Sequence, residues 1–210
     1  MAILFPFLIG FIIATLSILP PGLINMTAAK IGIQETKSRA MMFALGATVM
    51  VFLQTYIAII FARFIDKNPA IIISLREIGF LIFVVLTCYF WFKKNTKSAQ
   101  KVGKLHSKKS RFFIGLLLSA LNLFPIPFYV FVSVSLASFG YFLFTKMFVF
   151  WFVLGCGFGT FFAFYMYIIL FQKMEIKLGF IQRNLNKILA FITGFVSVLT
   201  LINIINFYSK

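Results

Sequence analysis

The sequence predicts an all-α, polytopic membrane protein of six transmembrane helices, arranged as two inverted three-helix repeats with broken first and fourth helices. Three observations carry this expectation. Of 210 residues, 62% are hydrophobic and 11% charged, where a soluble domain has roughly 45–50% apolar and about 25% charged residues. The apolar residues fall in six long runs separated by basic segments. When the two halves of the chain are overlaid, a glycine and a proline recur at matched positions in the first run of each.

A bilayer core of about 30 Å takes roughly 20 apolar residues in a helix. Six runs reach that length, at 3–26, 40–62, 72–92, 112–137, 144–171 and 188–208. Transmembrane strands would alternate apolar and polar positions, whereas Ile57-Ala58-Ile59-Ile60-Phe61-Ala62 and Leu116-Leu117-Leu118 do not alternate, so the runs read as helices. The first run has no basic residue before it and no A-x-A-like cleavage site, and it reads as a retained span. Six spans put the termini on one side together with Arg63, Lys67, Arg76, Lys146 and Lys210. The other side holds Lys30, Lys37 and Arg39, then Lys93 to Arg111 with eight basic residues and no acid, then Lys173, Lys177, Arg183 and Lys187. Fifteen basic residues against five place both termini outside and the 93–111 loop in the cytoplasm. That loop reads as a topology anchor beside anionic headgroups before it reads as a docking arm. His106 reads as a solvated residue within it.

The overlay at an offset of 105 residues divides the chain into repeats 1–105 and 106–210 within one membrane domain. It sets Phe7, Ile9, Gly10, Leu16 and Pro20 on Phe112, Ile114, Gly115, Leu121 and Pro125. Phenylalanine and leucine match by chance in such a composition, so the Gly and Pro carry the weight. Three spans per repeat is an odd number, which forces the halves into opposite orientations, as in many secondary transporters. Each first helix also breaks at the same place, at Leu19-Pro20-Pro21-Gly22-Leu23 and at Phe124-Pro125-Ile126-Pro127-Phe128. Proline removes a backbone donor and clashes with the carbonyl four residues back. The groups so freed are costly in hydrocarbon unless they face protein, water or substrate. Thr15, Ser17, Asn25 and Thr27 surround the first break, Ser119 and Asn122 the second. A half-helix starting at such a break turns N–H groups and its positive dipole end toward the interior, which suits a carboxylate. A single proline kink needs no ligand; two at matched positions with asparagine neighbours point to a substrate site made of Pro20, Pro21, Gly22 and Asn25 with Asn122, Pro125 and Pro127.

Here the sequence resembles a known family. Leu19-Pro20-Pro21-Gly22-Leu23-Ile24-Asn25, a short Lys/Arg-bearing loop and Ala44-Leu45-Gly46-Ala47 look like the start of LysE-type (LysE/RhtB) amino-acid exporters, whose first span ends in Pro-Gly-Pro. Arg111-Phe112-Phe113-Ile114-Gly115-Leu116-Leu117-Leu118-Ser119-Ala120-Leu121-Asn122 resembles that family's fourth span. The resemblance implies a translocator in the cell membrane that exports amino acids or similar small solutes from the cytoplasm, driven by proton motive force.

Proton coupling calls for an ionisable group within the membrane. Of the four acids, Glu35, Asp66 and Glu175 fall in loops, and Glu77, beside Arg76, lies in the third span. Glu77 is thus the coupling candidate, with an interfacial ion pair as its plainer reading. Gly155 and Gly159, four apart, offer a close-packing face within the monomer or a homodimer. Gln54, Thr55, Tyr56, Tyr165 and Tyr167 are candidates to line a pathway, and Trp91, Trp151 and Tyr208 read as interface anchors. The phenylalanines read as lipid-facing bulk.

Other classes fit less well. Three-plus-three redox carriers place a cysteine in the first span of each half, but Cys88 and Cys156 are not repeat-equivalent. One loop histidine and four scattered acids leave no catalytic set for an enzyme, and no Cys/His spacing suits a metal. No cofactor and no nucleic acid is expected. The expected partners are a small-molecule substrate, an amino acid by the resemblance, and membrane lipid. The alternatives are transport of another small solute or ion, or a non-transporting membrane assembly subunit.

Overall fold

The structure, a computed structural model, describes residues 3–20, 22–68 and 107–173, and, from the third and sixth apolar runs, residues 77, 80, 81, 83–85, 87–89, 91, 92, 187, 190, 191, 193–202, 204, 205 and 209. Every regular element among the described residues is helical. Pro21, Glu175, Tyr208 and the 93–106 part of the basic loop lie outside the described residues.

By contacts the chain forms two units, each drawing on both halves of the sequence. The first joins residues 1–64 to 100–176, and the second joins 65–99 to 177–210. The larger unit contains α1 (Leu4–Ile18), α2 (Leu23–Gln34), α3 (Lys37–Asp66), α4 (Lys108–Leu121), α5 (Pro125–Ser138) and α6 (Lys146–Lys173). Asp66, expected in a loop, is the last residue of α3. Lys108, Lys109 and Arg111, also expected in a loop, form the first turn of α4, where the Ser107 hydroxyl caps the Ser110 N–H at 3.1 Å. A serine cap satisfies one of the orphan donors of that turn, and long basic stems lie along a helix while their charges stay in water.

The helices α3 and α6 (over Lys146–Phe171) are each long and apolar enough to cross a membrane alone. The pairs α1–α2 and α4–α5 pass the same test as broken spans, bent by 78° and 62°. Their outward faces are apolar: Leu8, Ile12 and Leu16 on α1, Leu45, Val49, Leu53 and Ile60 on α3, and Phe158, Phe162 and Met166 on α6 are exposed. Helices apolar on the outside as well as the inside are those of a membrane protein, because water would reject so large a patch.

Lipid gives no hydrophobic drive for helix association, so close approach between small residues has to supply it. A Cβ at Gly10 would strike the Phe152 carbonyl, and one at Gly155 would strike the Phe7 carbonyl, which locks α1 to α6. A Cβ at Gly115 would strike the Phe43 carbonyl, and one at Gly46 the Phe112 carbonyl, which locks α4 to α3. Gly159 extends the first contact against the Phe11 carbonyl, so Gly155 and Gly159 form the packing face their spacing suggests, within one chain.

Two buried clusters fill the unit. One gathers Ala28 and Ile31 of α2, Ala40 to Ala47 at the start of α3, Ile114 and Leu118 of α4, and Phe164 and Ile168 toward the end of α6. The other gathers Tyr129 of α5, Phe148 to Cys156 at the start of α6, Ala14 of α1, and Val51 to Ile59 toward the end of α3. The two long helices therefore run antiparallel, the start of each beside the far end of the other. In the smaller unit, the Thr87 hydroxyl back-bonds to the Phe83 carbonyl at 2.7 Å and meets the Thr193 hydroxyl at 3.0 Å. Trp91 meets Phe191 edge-on, and Gly194 lies over Thr87. Thr193 lies in helix α7, described without a break over Thr193–Ile202.

The phenylalanines divide between both environments. Many face outward, but Phe142 packs edge-on against Phe148 (4.8 Å between centroids) and Phe152 (5.0 Å) inside the unit, which corrects the expectation of lipid-facing bulk alone.

Candidate functional site

α1 stops at Ile18 because proline at position 20 has no N–H to return to the carbonyl four residues back. Leu19 closes the helix with a shorter turn, its N–H reaching the Leu16 carbonyl at 3.2 Å. The carbonyls left over are met individually. The Asn25 amide nitrogen donates to the Ile18 carbonyl at 2.7 Å and the Pro20 carbonyl at 2.9 Å, and its oxygen accepts the Gly22 N–H at 2.9 Å. The Tyr167 hydroxyl, from α6, donates to the Leu19 carbonyl at 2.6 Å. Asn25 is buried, and its amide is committed to the chain's own backbone.

The second break is held differently. Gln54 of α3, 1% exposed, donates its amide nitrogen to the Ser119 carbonyl at 3.0 Å and the Asn122 carbonyl at 2.8 Å. Asn122 oxygen accepts from the Phe124 N–H at 3.4 Å, and among the described residues its amide nitrogen donates to nothing. Pro125 and Pro127 sit at the first and third positions of α5, while the N–H groups of Ile126 and Phe128 bond back to Leu123 and Phe124. The expectation of free N–H groups at both breaks therefore fails at α5, because the prolines delete two donors and the turn uses the others. At α2 the N–H groups of Leu23, Ile24 and Asn25 have no acceptor among the described residues. Replacing Gln54 by Leu, which strands two carbonyls in a low-dielectric interior, is expected to cost about 2 kcal/mol, read as a fall in the thermal midpoint of the detergent-solubilised protein. An unchanged midpoint would mean the two carbonyls find another donor.

Each break is thus held by a side chain from a long helix of the opposite half, Tyr167 for the first and Gln54 for the second. The two asparagines, expected to share a site, make no hydrogen bond to each other. Tyr129, in the second turn of α5, instead packs in one buried cluster with Ala14 of α1 and Cys156 of α6. Ser133 stands one turn beyond Tyr129, and Thr55 stands between Val51 and Ile59, which pack in the same cluster as Tyr129.

The hydroxyls of this region behave unusually. Thr15, Thr27, Thr87 and Thr200 each bond to the carbonyl four residues back, the ordinary way to satisfy a hydroxyl in an apolar helix. Thr48, Thr55 and Ser133 make no such bond; their buried oxygens, with Gln54 Oε1, have no partner among the described residues. Burying an unpaired polar atom costs about 1–3 kcal/mol, which makes these atoms candidates for contact with a ligand.

Of the expected site residues, Pro20, Gly22 and Asn25 line one break, and Asn122, Pro125 and Pro127 the other. Gln54, Thr55 and Tyr167 of the pathway candidates are placed inward, whereas Tyr56 is 52% exposed. Trp151, expected as an interface anchor, has a buried indole nitrogen without an acceptor among the described residues. Tyr129, Ser133 and Thr160 escape a reading of the sequence; the signal they offer is polar residues four apart, 129 with 133 and 156 with 160, on otherwise apolar helices. Glu77 is helical as expected. Cys88 is exposed and Cys156 buried, both free thiols.

No family model, no curated protein and no solved structure matches the chain.

Proposed function

We propose that the chain is a secondary transporter that exports amino acids or similar small solutes from the cytoplasm, with six spans forming two inverted repeats. The observation that carries the reading is the pair of bends, 78° and 62°, each at a proline-bearing break to which a side chain of the opposite half donates a hydrogen bond. A merely structural helix has no reason to expose backbone twice at matched positions inside a bilayer.

The packing supports the inversion. The contact of Gly10 with Phe152 and of Gly155 with Phe7 recurs as Gly115 with Phe43 and Gly46 with Phe112. The offset is 105 residues between α1 and α4, and 109 between α3 and α6. Exchanging the halves turns one buried cluster into the other, and in the smaller unit Thr87 meets Thr193, near-equivalent positions. The ends of the larger unit differ in charge, with Lys37, Arg39, Lys108, Lys109 and Arg111 at one and Arg63 and Lys146 at the other. The first is the cytoplasmic end in this reading, and it leaves both termini outside.

The free N–H groups at the start of α2 suit a carboxylate, and the unpartnered hydroxyls and Asn122 amide suit the polar remainder of a small zwitterion. The resemblance of residues 19–25 and 111–122 to LysE-type exporters supports amino acids as the class. Among the described residues of the larger unit no carboxylate lies at either break, so a coupling proton would be carried elsewhere, with Glu77 the candidate.

The test is efflux of amino acids from cells overproducing the protein and preloaded through dipeptides, compared with uninduced cells. Faster efflux of one class of amino acid, abolished by a protonophore, is the expected result. Asn122→Ala is expected to lower that efflux severalfold while leaving membrane insertion intact, since its amide nitrogen holds no bond among the described residues and its oxygen only the long 3.4 Å contact from the Phe124 N–H. Efflux unchanged by the protein for every amino acid would overturn the substrate class.

A further inference from the structure

We propose that Arg111, flanked by Arg39, is a carboxylate-receiving station at the mouth of the transport path, and that Glu35 occupies it in the closed state as a latch which the substrate carboxylate displaces. This rests on the transporter reading and names the chemistry by which that site admits its substrate.

Glu35 caps the C-terminus of α2, Arg111 stands in the first turn of α4, and Arg39 in the first turn of α3. The Arg111 guanidinium grips the Glu35 carboxylate with two nitrogens, Nε to Oε2 at 3.2 Å and Nη2 to Oε1. Arg39 Nε lies 3.9 Å from the same carboxylate. The Glu35 side chain is only 5% exposed and that of Arg111 14%. Two-pronged contact with a planar carboxylate is the strongest form of this recognition, and any other carboxylate presents the same geometry. Two guanidiniums share one carboxylate, so the cluster keeps a net positive charge that attracts an anionic group from the aqueous side.

Its position makes the pair a latch. Glu35 belongs to the second half of the first broken helix and Arg111 to the first half of the second, so widening the gap between α2 and α4 at this end pulls the pair apart. Among the described residues, no ion pair between two helices is seen at the opposite end of the unit. At the repeat offsets, Arg39 corresponds to Phe148, Glu35 to Gly140 and Arg111 to Pro6, and there Phe142, Phe144 and Phe148 pack ring against ring, with Phe5 on Phe148. One end is closed by a charge pair that a carboxylate can replace, the other by aromatic contact that it cannot. Breaking a buried pair without replacement leaves an uncompensated charge; a substrate carboxylate supplies the replacement as the latch opens.

The chain carries its own reporter. Cys156 is fully buried beside Tyr129, and Cys88→Ser leaves it the sole thiol. In inside-out membrane vesicles, modification of Cys156 by a small charged methanethiosulfonate is expected to be slow, and about tenfold faster in Glu35→Gln, where the closed state loses its latch. The exchanged pair Glu35→Arg with Arg111→Glu is expected to restore slow labelling, which separates loss of the pair from misfolding. Adding the proteinogenic L-amino acids is expected to speed labelling of the Cys88→Ser protein, while the corresponding decarboxylated amines leave it unchanged. Equal rates in Glu35→Gln and its parent overturn the latch, as does failure of the exchanged pair to restore it. A faster Glu35→Gln with no response to amino acids overturns the carboxylate station. Labelling reads the opening itself, so a failure of amino-acid efflux would be seen separately as a failure of the transporter reading.

Discussion

Gly155→Ala is expected to be among the most destabilising single-methyl additions in the chain. The new Cβ would overlap the Phe7 carbonyl oxygen, with Phe11 nitrogen also within reach, and both are backbone atoms that no rotamer change can withdraw. Overpacking a well-filled interior usually costs about 1–3 kcal/mol, and here α1 has to move as a body, so the loss is expected at the upper end. Gly46→Ala meets the Phe112 carbonyl and Leu116 nitrogen in the same way and is expected to match it. Gly194→Ala is the control, because its Cβ would only touch the Thr87 methyl at 3.4 Å. The measurement is the fraction of monodisperse protein left after graded heating in detergent. If Gly155→Ala and Gly46→Ala melt with the parent protein, the helix pairs are not held by close approach of their backbones.

The paired glycines also show how much the sequence reveals. Gly10 and Gly115 stand at the 105-residue offset and are visible as repeat partners; Gly46 and Gly155, which complete the same contacts, stand at 109. The slip accompanies a longer connection between α5 and α6 (139–145) than between α2 and α3 (35–36). That connection turns at Gly140, with φ at +76°, where the Tyr141 N–H returns to the Leu136 carbonyl at 2.8 Å. An overlay at one fixed offset loses the match beyond the first helix of each repeat. Helical runs and their proline breaks are legible because hydrocarbon demands continuous apolar helix and proline interrupts it wherever it occurs. Which polar groups answer a break is not legible, since Gln54 and Tyr167 come from across the fold, 68 and 148 residues from the carbonyls they reach. Glu35 is the sharpest case. By the span assignment it falls in a loop, and only the approach of α4, 76 residues on, makes it the partner of Arg111.

Asn25 decides between a staple and a ligand, and its substitutions are expected to separate the two. Asn25→Ala removes three hydrogen bonds at once, leaving the Ile18 and Pro20 carbonyls and the Gly22 N–H without partners. At about 1 kcal/mol of net loss per bond, the expected cost is about 3 kcal/mol, seen as a large drop in thermal midpoint alongside any loss of transport. Asn25→Asp keeps the acceptor for Gly22 but turns a charged oxygen toward two carbonyls, so it is expected to be at least as damaging in a low-dielectric setting. Asn122→Ala is the counterpart, since its amide nitrogen donates to nothing among the described residues and Gln54 binds its carbonyl, which alanine retains. Alanine gives up only the exposed 3.4 Å contact from the Phe124 N–H, so its midpoint is expected to stay within about 0.5 kcal/mol of the parent, as surface positions do, while efflux falls. If Asn25→Ala keeps its midpoint and loses only efflux, the amide is free to leave the backbone during transport, and the break is a working part of the cycle instead of a fixed bend. If Asn122→Ala falls in stability with Asn25→Ala, both asparagines are staples, and the substrate contact moves to the hydroxyls of Thr55, Ser133 and Tyr129, where alanine and phenylalanine substitutions would next be read.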